Sequence, residues 1–170
     1  MSDKDYNFRR ANSTDEPQIL TILQQAIERR RLDGSQQWQD GYPNPETVTS
    51  DIAKGWGYVI EIENSVAAYV SIIYEPEPAY EAIDGSWLST GEYVVMHRVA
   101  VADEFTGRGL ATEIFREAEN IAKRSGVSSI KVDTNFDNVA LLHILKKLGY
   151  KYCGEVYFRG SARKAFEKLL

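Results

Sequence analysis

The sequence predicts a mixed α/β fold, a sheet joined by crossover helices, on three observations. The run "YVVMHRVAVA" (Tyr93 to Ala102) is β-branched, aromatic and nearly continuous, which marks a strand. It passes through Gly107-Arg108-Gly109 into a helical period from Gly109 to Lys123. Strand, helix and strand then follow in turn: "SSIKVDT", a helix opened at Asp137 or Asn138, and "YKYCGEVYF". Such alternation is the pattern of crossover connections.

The other elements fall in order around that centre. "YNFRRA" (Tyr6 to Ala11) predicts a short first strand. Thr14 or Asp15 can cap the next helix, with Pro17 in its first turn and the Asp33-Gly34 stop at its end. "PETVTSDIAKGW" predicts a short second helix from Pro45 to the stop at Gly55. "YVIEIENSVAAYVSIIYE" predicts a hairpin turning at Glu63-Asn64-Ser65. "PEPAYEAIDGSWLSTGE" is too broken by Pro and Gly for regular structure. In the helix after the glycines, Leu110, Ala111, Ile114, Phe115, Ala118, Ile121 and Ala122 share one face. Glu113, Arg116, Glu117, Glu119 and Asn120 lie largely on the other. Val139, Leu142, Leu145 and Leu148 are the expected inner face of the last helix, which Gly149 stops. The tail "ARKAFEKLL" leaves strand and helix open.

Composition excludes several classes. At 170 residues the chain fits a single domain, 1–170, with 43% hydrophobic and 26% charged residues. No apolar run reaches membrane-span length, and "MSDKDYNFRR" has no signal-peptide core. One cysteine, Cys153, permits no intrachain disulfide or cysteine metal cage, and two distant histidines make no zinc site. No metal is expected, and the default location is cytoplasmic. A net charge of −5 argues against nucleic acid and anionic membranes as partners and tolerates a cationic substrate.

Gly107-Arg108-Gly109 sits where a helix leaves its first N–H groups unpaired and its dipole positive. Glycine there lets a phosphate approach the backbone, and Arg108 adds a charge. An ordinary strand-to-helix turn would use the same glycines for positive φ. Neither the G-x-x-x-x-G-K-[ST] pattern nor G-x-G-x-x-G is present, since position 112 is Thr.

"RVAVADEF" followed by Thr106-Gly107-Arg108-Gly109-Leu110-Ala111 resembles the signature of the GNAT-type N-acetyltransferases. That signature is an L-x-V-type strand, then [QR]-x-x-G-x-[GA] opening a helix. Asn138 at the start of the next helix, "KKLGY" (Lys146 to Tyr150) at its end and a strand beyond agree, so the resemblance covers nearly the whole chain. It implies a strongly twisted mixed sheet of six to seven strands with about four helices on both faces. It also implies acetyl-CoA as co-substrate and direct attack by an acceptor amine in a ternary complex. Dimers are common in the family, which leaves a homodimer open. Two departures stand out. Thr106 replaces the usual Gln or Arg, and Leu145 stands where many members carry a tyrosine general acid.

The resemblance assigns the pyrophosphate to the backbone of Gly107, Arg108, Gly109, Leu110, Ala111 and Thr112. It assigns the thioester carbonyl to N–H groups of Val99, Ala100 and Val101, on a strand splayed from its neighbour. Asn138 can cap its helix and bond the amide arm of CoA. For the ammonium proton His97 is the candidate base, its ordinary pKa suiting neutral pH; a packed strand histidine is the alternative. Tyr150, Tyr152 and Cys153 stand near the position of the missing acid, and each reads more readily as core. Asp133 and Asn135 can line the cleft or build the turn. For the acceptor, Trp38, Asp40 and Tyr42, with Glu75, Glu77, Tyr80, Glu81 and Asp84, place aromatic faces beside carboxylates, which suits an amine or polyamine. The resulting expectation is acetyl transfer to a primary amine of a small molecule or peptide. A non-catalytic acyl-CoA sensor and a protein-interaction module are the alternatives.

Overall fold

The computed structural model describes residues 4–170. Strand β1 (Asn7–Arg10) leads through a single 3-10 turn (Ser13–Asp15) into α1 (Glu16–Leu32), followed by α2 (Pro45–Ala53). The hairpin is β2 (Gly57–Ile62) and β3 (Ser65–Ile73). Next come α3 (Pro78–Glu81), β4 (Asp84–Gly85), β5 (Val94–Val101), a 3-10 turn (Asp103–Phe105) and α4 (Leu110–Arg124). β6 (Ser129–Thr134), α5 (Val139–Lys147), β7 (Lys151–Phe158) and β8 (Ser161–Leu169) complete the chain. The fold class is the expected mixed α/β. The described residues hold eight strands and five α-helices, where six to seven and about four were expected. The additions are β4 and α3, both inside the Pro- and Gly-broken segment expected to be irregular. The tail resolves as a strand.

The chain divides into two compact units, one of residues up to Ile72 with Arg98–Glu117, the other of Ile73–His97 with Ala118–Leu170. In the first, β1-β2-β3 pair antiparallel; the Ala102 N–H beyond β5 bonds the Ala67 carbonyl of β3 at 2.9 Å, and the Ala11 N–H beyond β1 bonds the Gly57 carbonyl of β2 at 2.8 Å. Glu63 and Asn64 turn the hairpin with φ of 49° and 66°, the twist-matched geometry that Asn tolerates. Ile19, Ile22, Leu23 and Ala26 of α1 enter a core with Val48, Val59, Tyr69 and Ala100. The cap of the opening turn is Asn12, which accepts from the Thr14 N–H at 3.0 Å. Asp15 stands at the N-cap position of α1, one of the two expected, but its carboxylate accepts from the Asn12 N–H and from Arg9 and makes no side-chain cap bond to the helix. Asn44 caps α2 ahead of Pro45.

In the second unit the strand order is β5-β6-β8-β7-β4. β5 and β6 run parallel and register only Val94 with Ile130 and Val95 with Lys131. β6 then pairs antiparallel with β8 along its whole length. Pairing of β5 with β6 therefore ends before His97. β4 is held to β7 by Gly85 opposite Gly154. A Cβ on Gly154 would lie 2.2 Å from the Asp84 carbonyl oxygen, so only glycine allows this approach. Three side chains depart from the helix faces read in the sequence. Val139 is exposed at 73%, being first in α5, and Glu117 and Glu119 of α4 are buried. Glu117 is sheltered because it pairs with Lys4 and accepts from Tyr6, and Glu119 because it pairs with Lys168.

Candidate functional site

The second unit gathers a titratable cluster around His97, whose side chain is 17% exposed. Its Nε2 lies 3.6 Å from Glu77 Oε2, and its Nδ1 lies 4.0 Å from Asp133 Oδ2. Asp133 comes from β6 just where the parallel ladder has stopped, which frees its carboxylate to reach across. Its Oδ2 accepts a 2.6 Å hydrogen bond from the Tyr80 hydroxyl, and Arg163 lies 3.6 Å from Oδ1. Phe158 packs edge-on to the imidazole at 6.3 Å and to Tyr80 at 6.4 Å. Burial, then the adjacent Asp133, pushes the Tyr80 phenol well above its ordinary pKa, so it stays a donor. A proton taken up at either imidazole nitrogen faces a carboxylate, and this equips the cluster for general-base chemistry.

Glu77 is placed by α3: its carboxylate accepts from the Ala79 N–H at 3.3 Å, and its own N–H bonds the Tyr93 hydroxyl at 3.0 Å. Beside the cluster, Tyr80 and Glu81 contribute to a cleft of about 820 Å³. Tyr150 is buried, and desolvation followed by the nearby Glu119 raises its phenol. It neighbours Lys168, not the imidazole. Tyr152 is 56% exposed and packs on Phe166. Cys153 is buried, and desolvation pushes its thiol up. Leu145 is fully buried and offers no acid. Asn138 caps α5 by accepting from the Leu141 N–H at 3.3 Å. At the end of β6, Thr134 Oγ1 and Asn135 Oδ1 are buried without a hydrogen-bond partner among the described residues.

The first unit holds the glycine turn. Gly107 and Gly109 have φ of 80° and 75°, the left-handed region that glycine enters freely. A Cβ at either would meet nothing within 4 Å, so conformation and not crowding requires glycine. The first N–H bonded back across the turn is that of Glu113, to the Gly109 carbonyl at 3.1 Å. The N–H groups of residues 107–112 therefore point out unpaired among the described residues, as at any open helix start. Thr106 turns its hydroxyl onto the Asp103 carbonyl, and Arg108 lays its guanidinium over Phe105. Neither side chain is committed to the space above the turn, which leaves the backbone as its donor set.

Upstream in the same unit, Arg98 has φ of 58° within β5, flanked by His97 and by Val99, Ala100 and Val101. Its guanidinium bonds Asp51 twice and reaches Ser71 and the Tyr42 hydroxyl. Burial opposes this charge, and the hydrogen bonds to Asp51 outweigh it, leaving the pKa raised. Tyr42 is thus a ligand of Arg98, and Trp38 packs against the core. Asp40 and Asp84 are exposed.

Sequence reasoning missed four charged residues, in two pairs. Arg98 and Asp51 are 47 residues apart, and the only hint was a charged residue inside an apolar strand. Lys131 and Glu167, both buried, gave the same hint in β6 and β8. Among the described residues no helix is long and apolar enough to cross a membrane, and no three His, Cys, Asp or Glu side chains cluster as a metal site.

Residues 23–150 match the profile of the Acetyltransferase (GNAT) family. An uncharacterized N-acetyltransferase, YesJ of Bacillus subtilis (strain 168), is 27% identical over 144 residues, 82% of this chain and 78% of that protein. A GNAT-family acetyltransferase structure from Streptococcus agalactiae 2603 superposes with a TM-score of 0.89 at 34% identity, covering 97% of this chain and 95% of that one. One from Listeria monocytogenes 4b F2365 gives 0.78 at 22% identity over 97% and 95%, a likeness of fold.

Proposed function

Since the chain belongs to the acetyltransferase (GNAT) family, we propose that it moves an acetyl group from acetyl-CoA to a primary amine by direct attack in a ternary complex. The observation that carries this reading is the run of N–H groups from Gly107 to Thr112, unpaired among the described residues, at the head of α4 and after the 3-10 turn that follows β5. Those donors and the helix dipole suit a pyrophosphate. Acetyl-CoA supplies the activated thioester. The N–H groups of Val99, Ala100 and Val101 would polarise its carbonyl, and Asn138, with the unpartnered Thr134 and Asn135 oxygens, would meet the amide arm.

The chemistry then needs one base. The amine nitrogen bonds the acetyl carbon, the carbon–sulfur bond breaks, and His97 takes the ammonium proton. Glu77 and Asp133 hold the imidazole in place and balance the charge it gains. The CoA thiolate collects its proton from water, or from Tyr150 or Tyr152. Tyr80 and Glu81, which line the cleft of the second unit, are the proposed acceptor-binding residues. The acceptor is a small-molecule or peptide amine, and the site of action is the cytoplasm. The experiment is thiol release from acetyl-CoA over a panel of amines, run beside thermal unfolding with acetyl-CoA. Protection together with amine-dependent thiol release supports transfer. Neither with any acyl-CoA overturns it.

Fully buried Leu145, in the position where many relatives of this type carry an acid, favours a second reading: a non-catalytic acyl-CoA sensor. Protection by acetyl-CoA with no thiol release over the whole panel would select it.

A further inference from the structure

Lys131 is a buried cation without an ion-pair partner among the described residues. The residue is 4% exposed, central in β6, and lines the 820 Å³ cleft of the second unit. Its ammonium sits 3.9 Å from the centre of the Tyr93 ring and 4.4 Å from that of Trp87. It donates no hydrogen bond and forms no ion pair among the described residues. The nearest carboxylate by register is Glu167, directly across the β6–β8 ladder. Glu167 is engaged elsewhere, accepting from the Leu88 N–H at 2.8 Å, from Ser129 at 2.7 Å and from Ser89. The rings are fixed as well: Trp87 donates to the Tyr80 carbonyl at 2.8 Å, and the Tyr93 hydroxyl accepts from Glu77.

A buried ammonium held by ring faces alone lacks the hydrogen bonds that normally repay its desolvation. Burial depresses the Lys131 pKa, and Glu167 opposes that only in part. An incoming anion would supply the missing acceptor. The walls narrow its chemistry. Glu81 and Glu92 also line the cleft, so a polyanion is repelled, whereas a molecule carrying both a carboxylate and an amine is accommodated. Tyr80 packs on Trp87 at 5.1 Å and on His97 at 6.4 Å, so one residue borders both the cleft and the candidate base.

We propose that this cleft is the carboxylate subsite of the acceptor: Lys131, between Tyr93 and Trp87, binds the acid end of a small amino-carboxylic acid. The proposal rests on the acetyl-transfer reading and goes beyond it in naming the acceptor class. The predicted ligand is zwitterionic, and an amine without the acid group binds here weakly.

The test is thermal unfolding with three matched pairs: 4-aminobutyrate and butylamine, L-lysine and cadaverine, L-phenylalanine and phenethylamine. Wild type, Lys131→Met and Lys131→Arg are compared. The expected result is that the acid of at least one pair raises Tm of wild type and its amine counterpart does not. Lys131→Met binds that acid about 10- to 100-fold more weakly, the loss of one charge-assisted hydrogen bond, and Lys131→Arg retains part of the effect. No discrimination in any pair, or equal discrimination in Lys131→Met, overturns the subsite. Should Lys131→Met not fold, the Lys131 Cε–Hε resonances of wild type must shift with the acid and not with the amine. With thiol release in hand, a KM for the acid-bearing acceptor that Lys131→Met leaves unchanged also overturns it. Absence of thiol release with every amine overturns acetyl transfer itself, whether or not acids bind.

Discussion

Asp51 grips Arg98 with both carboxylate oxygens, at 2.9 Å to Nε and 2.6 Å to Nη2, and Arg98 is the residue of β5 whose backbone is left-handed. A non-glycine residue there is strained by about 1–3 kcal/mol and persists only where its surroundings hold it. Asp51, 2% exposed, also accepts from the Tyr69 hydroxyl at 2.5 Å, so the clamp is hydrogen-bonded on all sides. Asp51→Ala strands a buried guanidinium and is expected to remove about 3–5 kcal/mol of stability. The double change Asp51→Leu/Arg98→Met is expected to lose less than either single change, because no charge is left unpaired. Urea unfolding of Asp51→Ala, Asp51→Leu, Arg98→Met and the double variant checks this. A loss below about 1 kcal/mol in Asp51→Ala would show that the clamp does not hold the strand.

His97 is the neighbour of that clamp in sequence and the proposed base, facing Glu77 and Asp133. His97→Ala is expected to lower kcat about 100-fold or more while leaving acetyl-CoA affinity unchanged. Steady-state kinetics with calorimetric titration of acetyl-CoA separates the two quantities. Asp133→Asn keeps the hydrogen bond to Tyr80 and removes the charge facing Nδ1, so it is expected to reduce kcat less than His97→Ala does. Equal turnover in His97→Ala and wild type would take the imidazole out of the mechanism.

The elements that could be read from the sequence are those with a local cause. β5 declared itself by its β-branched run, α4 by its period and its glycines, and the β2–β3 hairpin by Asn64. The cap position of the first helix was legible as Thr14 or Asp15, and Asp15 holds it; what the sequence could not say is that Arg9 and the Asn12 N–H take its carboxylate, leaving Asn12 to cap the turn before it. α3 and β4 escaped because what holds β4 is distant, the close approach of Gly85 to Gly154. His97 was legible as a titratable residue in a strand. Its partners Glu77 and Asp133 were visible only as acidic residues, since the pairing depends on where the β5–β6 ladder stops. Lys131 and Glu167 carried one signal, a charge within a strand, and nothing local says that such a charge is buried.

The Gly85–Gly154 contact gives a direct test of how β4 is seated. Gly154→Ala places a Cβ 2.2 Å from the Asp84 carbonyl oxygen and forces φ of 144° on an L-residue. Neither backbone can yield without breaking the β4–β7 pairing. The expected loss is about 2–4 kcal/mol, the sum of overpacking and backbone strain. Chemical denaturation measures it. Gly91→Ala, in the same segment with nothing within 4 Å, is the control and is expected to stay within about 0.5 kcal/mol of wild type.

Lys131 sets a pH dependence with a definite sign. Burial lowers its pKa in the fold below the ordinary 10.5, so at alkaline pH the unfolded chain holds the proton after the fold has released it. Stability rises with pH wherever the unfolded state binds more protons. Lys131 therefore opposes folding below its depressed pKa, and that opposition is relieved as pH climbs toward 10.5. Unfolding free energies of wild type and Lys131→Met across that alkaline range should converge in favour of wild type with rising pH. A difference that is flat with pH would mean that the ammonium is no harder to keep in the fold than in water.

The turn at the head of α4 tests what binds acetyl-CoA. Thr106 and Arg108 spend their side chains on Asp103 and Phe105, so the backbone is the donor set there. Arg108→Ala should then weaken acetyl-CoA by less than about tenfold, the loss of one exposed charge. Gly109→Ala acts differently. An alanine at φ of 75° destabilises the turn by about 1 kcal/mol, and it swings the N–H groups of Leu110 and Ala111 if the backbone relaxes to negative φ. Acetyl-CoA affinity should fall further in Gly109→Ala than in Arg108→Ala, with the fold retained. Calorimetric titration of both variants decides the matter. If Arg108→Ala were the more damaging, the side-chain charge and not the open helix start would be what holds the pyrophosphate.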